Sequence, residues 1–430
     1  MALPELSPKT TFTLHGGSEI GPLFNLFINR LNTEERLTRS NTAMLPGANH
    51  STEKHPLIKA YKNDQLEKTL SSKFRQAFGA SLAVNRRGGQ DTSLHVGDFP
   101  NREAYPLSKE EDYYTVVASR PRLDEQGDGM RGFASILLDT LTSDYSISLF
   151  DEPDAFLHPP QARLLGRMLA SLHDGNQQLF ISTHSEDFLQ GLLEANSEDV
   201  SIIRIDRQDI TNEINVLDNA GIRDLWINPL LRYSKILSGL FYKKVIVCES
   251  DYDCLFYQAI MDALFENKEE QIPDILFVHC GGKSRMKVII KALSALRIPV
   301  VAIPDFDIID NRAEFKSLFE AFNANWEEEV CAHMTEVYNW LNANKEAKNH
   351  LKRTGKSILD GAASGKYSLV ENACRAAGLF IVPVGELECF DKSINKDKKD
   401  WIYSVLERND LAADSSLQDA RDFVQSIIDF

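Results

Sequence analysis

Short apolar runs, each closed by acids or glycines and followed by a stretch with helical spacing, occur in two separate series along this chain. In the first, Ser146 to Phe150 is a β-branched and aliphatic run, and Leu179 to Ser182 repeats the pattern about thirty residues on. The second begins at about Phe241. Val245 to Cys248, the run "DILFVHCGG", the run "IPVVAIPDFD" and the run "GLFIVPVGELECF" each read as a buried strand. Strands that alternate with amphipathic helical stretches predict an α/β fold with a parallel sheet and crossover helices. Two series predict two such domains, 1–236 and 237–395, followed by a polar helical tail at 396–430. A β-rich return near "SIIRIDRQDITNEINVL" and a helical link through "IRDLWINPLLRYSKILSGL" are expected to close the first. The glycine and proline breaks at Gly16-Gly17 and Pro46-Gly47 leave the first fifty residues without a clear pattern.

In open parallel sheets a ligand site lies beyond the C-terminal strand ends, so the residues there carry the chemistry. After the strand that ends at Phe150 stand Asp151 and Glu152. One carboxylate can hold Mg²⁺ through its water shell while the next orients and deprotonates an attacking water. The Leu179 strand delivers Thr183, His184 and Ser185 to the same edge, where a histidine can sense a γ-phosphate. In the second series Glu249 closes one strand, Asp305 and Asp307 close another, and Glu386 and Glu388 follow the last. Strand alternation at i, i+2 predicts that both aspartates point the same way. Clustered oxygens of this kind suit Mg²⁺ or Mn²⁺ and suit zinc poorly.

Composition narrows the partners. At 430 residues the chain is long enough for two or three cores, and 43% hydrophobic with 26% charged residues is ordinary for a globular protein. No run approaches the ~20 apolar residues of a membrane helix and no signal pattern opens the chain, so a cytoplasmic location is expected. The six cysteines show no C-x-x-C pairing and read as core thiols. A net charge of −16 excludes a protein that coats nucleic acid by bulk electrostatics, yet leaves room for DNA as a substrate of a metal-loaded acidic site. Arg86-Arg87 and "KDKK" at 396–399 are local basic strips, read as solvated surface.

The run "SISLFDEPDAFLHP" followed by "LFISTHS" resembles the ABC-type ATPase core shared by SMC-like proteins and bacterial defence ATPases. By that resemblance Asp151 is the Walker B aspartate, Glu152 the catalytic glutamate and His184 the switch histidine. "QGDGMRGFASILLDTL" resembles a signature motif with Gly127-Asp128-Gly129 in place of Ser-Gly-Gly, and Gly127 and Gly129 would open a helix facing an ATP phosphate on a partner subunit. Residues 54 to 97 are similar to the segment that such ATPases carry between phosphate loop and signature. The pattern G-x-x-x-x-G-K-[ST] is met only in part, by "FVHCGGKS", where Phe277 takes the first glycine's place and the order along the chain is wrong. The ATPase domain is therefore expected to lack its Walker A lobe, through truncation, a misplaced start or a split gene.

Glutamate followed by D-x-D resembles the TOPRIM domain of topoisomerases, primases and nucleases. Its position after an ABC-type ATPase resembles the OLD (overcoming lysogenisation defect) nucleases, which include the Gabija-type defence endonucleases. The resemblance spans about residues 54 to 390. It implies that Glu249 and Asp253 are the first glutamate and following acid of E-G-x-x-D, with Ser250 in the glycine's place. Asp305 and Asp307 are the D-x-D pair, Glu388 is the late acid, and Gly281-Gly282 is the glycine turn. A site lysine is implied among Lys392, Lys396, Lys398 and Lys399. The implied activity is two-metal hydrolysis of DNA phosphodiesters, with Glu249, Asp305 and Asp307 at one ion and Asp253 and Glu388 at the second. ATP would bind between ATPase domains of a homo-oligomer, with a helicase-like or other defence protein as a possible partner. An ATPase-like scaffold with an inactive nuclease is the alternative. A primase or topoisomerase ranks last, because no tyrosine is marked as a nucleophile.

Overall fold

The computed structural model describes residues 28–45, 55–100, 110–172, 177–195, 198–208, 210–217, 235–266, 268–408 and 410–430. The expected breaks at Gly16-Gly17 and Pro46-Gly47, and most of the linking segment from Ile222, lie outside them. The chain folds as two compact units, Met1–Ser197 and Glu198–Phe430.

In the first unit β1 (Ile28–Leu31) leads into a short helix, Thr33–Thr38, and two small antiparallel pairs follow. These are β2 (Ala43–Met44) with β4 (Asp91–Thr92), and β3 (Ser81–Val84) with β5 (Leu94–Gly97). β6 (Ile147–Asp151) then enters between β1 and β7 (Gln178–Ser182), all three parallel, with Leu31 opposite Phe150 and Asp151 opposite Ser182. Beneath them the helix Asp128–Thr142 buries Phe133, Ile136, Leu137 and Leu138 completely. Each such side chain contributes roughly 1.5–3 kcal/mol by leaving water.

The second unit opens with an antiparallel hairpin, β8 (Ile203–Gln208) and β9 (Thr211–Val216). The buried guanidinium of Arg204 donates to the Tyr242 carbonyl at 3.0 Å, and Arg297 donates to Asn215 Oδ1 at 3.2 Å. These bonds hold the hairpin to the second unit, so the boundary lies at 197/198, ahead of the expected return strand. A parallel sheet follows in the order β11-β10-β12: β10 (Lys244–Cys248) in the centre, β11 (Ile275–His279) and β12 (Val300–Ile303) beside it. The run expected as a fourth strand lies along β12 through one parallel bridge, Ala302 to Leu379, and its Phe380 and Val382 amides donate to Ala302 and Pro304.

Residues 396–430 are no appendage. Trp401, Val405, Phe423 and Ile427 are buried in the same core as Phe256, Ile260 and Phe390. Phe256 lies 5.3 Å from the Trp401 ring and 5.8 Å from that of Phe390. Pairs like these add ~0.5–1.5 kcal/mol beyond the area that they bury.

Two backbones meet without side chains between them just behind the strand ends. Gly385 has φ 120°, and a Cβ on it would stand 2.0 Å from the Lys352 carbonyl oxygen; one on Gly355 (φ 63°) would stand 2.1 Å from that of Pro383. Lys356 N–H donates to Pro383 O at 2.8 Å and Phe306 N–H to Gly385 O at 2.8 Å, so this contact sets where Glu386 and Glu388 emerge. Gly385→Ala is expected to destabilise the second unit by about 3 kcal/mol or more. A fall in the denaturant midpoint, with the first unit unaffected, is the check.

Candidate functional sites

The end of β6 carries the first site. Asp151 Oδ1 accepts from Ser182 Oγ across the β6–β7 register at 2.6 Å. Glu152 turns the chain at φ 47°, a left-handed conformation that is rare for a glutamate, and its amide donates to Ser182 O at 3.1 Å. His184 Nε2 stands 3.4 Å from Glu152 Oε1 with its side chain 89% exposed. Partial burial pushes the Glu152 carboxyl up, against the pull of His184. The predicted triad of Asp151, Glu152 and His184 is thus brought to one open sheet edge. Arg36 holds the turn from below: its buried guanidinium donates to the carbonyls of both Asp151 and Glu152, and burial lowers its pKa.

Gly127 caps the helix Asp128–Thr142 through its backbone position alone, and Asp128 is paired by Arg131 at 3.1 Å. Gly129 has a reason within the chain: a Cβ there would lie 2.6 Å from the Phe156 carbonyl oxygen, on the loop that follows Glu152. The glycine lets the helix approach that loop.

The second site lies at the C-terminal ends of β10 and β12. Glu249 Oε1 accepts from the Asp305 amide at 2.9 Å, which ties the two strand ends together. Asp305 is 8% exposed, and burial, reinforced by the neighbouring Glu249, pushes its carboxyl up to about 7. Glu249 is raised by burial as well, partly offset by Lys283. Asp253 forms a capping box with Ser250, accepting from Ser250 N–H at 2.9 Å, while its other oxygen pairs with Lys398 Nζ at 2.6 Å. Glu388 stands nearby with its Oε2 buried and without a hydrogen-bond partner, and burial raises its pKa.

The two aspartates of the D-x-D pair converge for a different reason from strand alternation. β12 ends at Ile303, and Asp305 caps a 3₁₀ turn, Phe306–Asp310, that contains Asp307. Asp307 returns to the site through Lys283, whose Nζ pairs with its carboxylate and lies 3.7 Å from Glu249 Oε1. Lys352 Nζ adds a contact to Asp307 Oδ2 at 3.6 Å. Asp310 takes no part; it pairs with Lys348 at 2.5 Å.

Known families match both units. Residues 49–189 match an AAA domain model named for the AbiEii toxin of a type IV toxin–antitoxin system. Residues 240–307 match the TOPRIM domain of proteins like the overcoming lysogenization defect protein. An OLD nuclease of Thermus scotoductus is 28% identical over 175 residues, 39% of this chain and 32% of that protein. The chain has the ATPase–TOPRIM architecture of the OLD family. It spans about a third of the length of that OLD relative. Among solved structures, an SMC ATPase is 12% identical (TM-score 0.27, 39% of this chain and 91% of that one). An Smc head with a coiled coil and joint from Pyrococcus yayanosii is 13% identical (TM-score 0.27, 37% and 28%). Likenesses this slight define no fold.

AAA and TOPRIM domains generally imply ATP and a divalent metal. The OLD-like acids fit a hard cation by donor type: Glu249, Asp253, Asp305 and Glu388 are carboxylates, three with raised pKa values and one with an orphaned buried oxygen. Among the described residues no three of His, Cys, Asp or Glu are gathered closely enough to hold an ion as they stand. Ammonium groups of Lys283 and Lys398 stand among them instead. Two residues of these sites are not marked by the sequence pattern. Lys283 falls within the incomplete phosphate-loop match, although a lysine directly after strand-end glycines is a usable signal. Arg36, in "NTEERL", looks like any solvated helix face. No helix among the described residues is long and apolar enough to cross a membrane.

Proposed function

We propose that this chain is a metal-dependent DNA endonuclease whose reaction centre is the β10/β12 end of the second unit, coupled to a nucleotide-responsive first unit. The pair of buried Asp305 and half-buried Glu249 carries the reading. Two acids tied together at strand ends, with raised pKa values, oppose folding unless a bound cation or a reaction compensates.

Glu249, Asp253, Asp305, Asp307 and Glu388 would hold one or two Mg²⁺ or Mn²⁺ ions, which when bound polarise the phosphate and acidify water. Glu249 is fixed by the Asp305 amide, so its free oxygen is directed without a loss of side-chain entropy at the moment of reaction. Lys398 neutralises Asp253 and presents a positive group to a DNA phosphate. Nicking of supercoiled plasmid in Mg²⁺ or Mn²⁺, abolished by EDTA, is the expected result. Intact plasmid in every metal would replace the nuclease by the scaffold alternative.

In the first unit Asp151, Glu152 and His184 would face ATP, with Gly127 and Gly129 toward a nucleotide on a second copy, so that self-association runs through this unit. Defence against phage or other foreign DNA, beside a helicase-like or other partner, is the role that this pairing of activities suits. The 430-residue chain alone is expected to turn over little or no ATP, because its sequence holds no G-x-x-x-x-G-K-[ST] loop. Measurable turnover that Glu152→Gln removes would contradict this.

A further inference from the structure

Lys283 occupies an unusual place. It is the first residue of the helix Lys283–Ala295, where the positive end of the helix dipole disfavours an ammonium group. The helix has no side-chain cap, and the preceding Gly281 and Gly282, at φ 70° and 121°, turn the chain so that Gly282 N–H donates to the Glu249 carbonyl at 3.0 Å. The lysine is thereby fixed to the backbone of the glutamate it faces. Its side chain is 17% exposed, paired with Asp307 and 3.7 Å from Glu249.

Set against five acids, Glu249, Asp253, Asp305, Asp307 and Glu388, the partly buried ammonium groups of Lys283 and Lys398 and the more exposed Lys352 leave negative charge unbalanced. Asp305 makes no ion pair within 4 Å among the described residues, so the deficit falls on it. A single cation of charge two, placed between Glu249 and Asp305, would neutralise the pair that Lys283 reaches only at a distance. Lys283 and such an ion would then compete for Glu249 and repel each other.

We infer that Lys283 is a built-in counter-ion of the carboxylate centre, which gives up its place between Asp307 and Glu249 when a divalent cation binds. The inference rests on the proposed nuclease reading and adds to it a defined exchange: one ammonium group leaves the acids as the ion arrives. The released lysine lies beside the reaction centre, free to meet a DNA phosphate.

Two measurements on the whole chain test this. Mn²⁺ affinity, by calorimetry, is expected to rise about tenfold in Lys283→Met, with a smaller change in Lys352→Met, whose ammonium is half exposed. Amine labelling of the unmodified protein, read by mass spectrometry, should find Lys283 protected in EDTA and several-fold more reactive in Mn²⁺, with Lys352 reactive in both. Wild-type protein that binds Mn²⁺ while Lys283→Met binds no more tightly, or Lys283 labelling that ignores Mn²⁺, overturns the exchange and leaves the nuclease reading standing. Wild-type protein that binds no Mn²⁺ at millimolar concentration overturns both. The labelling needs no variant, so misfolding of Lys283→Met leaves the test intact.

Discussion

Asp305→Asn is expected to lower metal-dependent plasmid nicking by about 10³-fold or more, while raising the thermal stability of the metal-free protein. The loss follows from removing a ligand of the cation, which itself supplies several kcal/mol of transition-state stabilisation. The gain follows from burial. A carboxyl moved from 3.8 to about 7 opposes folding above neutrality, with an upper limit of roughly 4 kcal/mol. Because Glu249, Lys283 and Lys398 share that charge, on the order of 1–2 kcal/mol is expected, several degrees in the melting temperature at pH 8. Asparagine keeps the shape and the backbone N–H that Glu249 accepts from. Nicking by Asp305→Asn at the wild-type rate would remove Asp305 from the centre. Lost nicking with a lowered melting temperature would instead make it a structural acid.

The carboxylates that this variant probes were legible because a parallel sheet gathers its strand ends at one edge, so "VIVCE" and "VVAIPDFD" place acids together before any coordinates are known. The reason given for the D-x-D pair was not. Pro304 ends β12 one residue before Asp305, and a 3₁₀ turn replaces the alternation expected of a strand. Contacts from distant segments were also out of reach. Lys398 belongs to a helix anchored by Trp401, whose Nε1 donates to Asp391 O at 3.0 Å, and only that packing chooses it over its neighbouring lysines. Gly129 carries a phosphate-facing label in the motif, while its spacing against Phe156 is a fact of tertiary packing. The hairpin at 203–216 reads as the return that closes the first unit, and the buried Arg204 ties it to the second instead.

The metal-free second unit is expected to lose stability as pH rises from 5 to 8, and Mn²⁺ to recover most of the loss. Asp305, with Glu249 and Glu388, binds protons more tightly folded than unfolded. The stability tied to those protons is full below about pH 4, the unfolded carboxylate range, and is lost progressively until about pH 7. Groups of opposite sense lie outside this window: Asp391, held at about 2 by Ser393 and Arg408 despite burial, loses its contribution only as pH falls below about 4. The neutral His55, lowered by burial, favours folding at higher pH, but it belongs to the first unit. Trp326, Trp340 and Trp401 lie in the second unit and no tryptophan falls within residues 1–197, so tryptophan fluorescence does not report on the first unit. Melting by fluorescence in EDTA should fall by roughly 5 °C between pH 5 and pH 8. With Mn²⁺ the difference should shrink to a degree or two, because cation binding is strongest where the acids are ionised. A melting temperature that rises with pH in EDTA, or a Mn²⁺ effect equal at both pH values, would place the raised carboxyls away from the cation and separate the burial of these acids from their use.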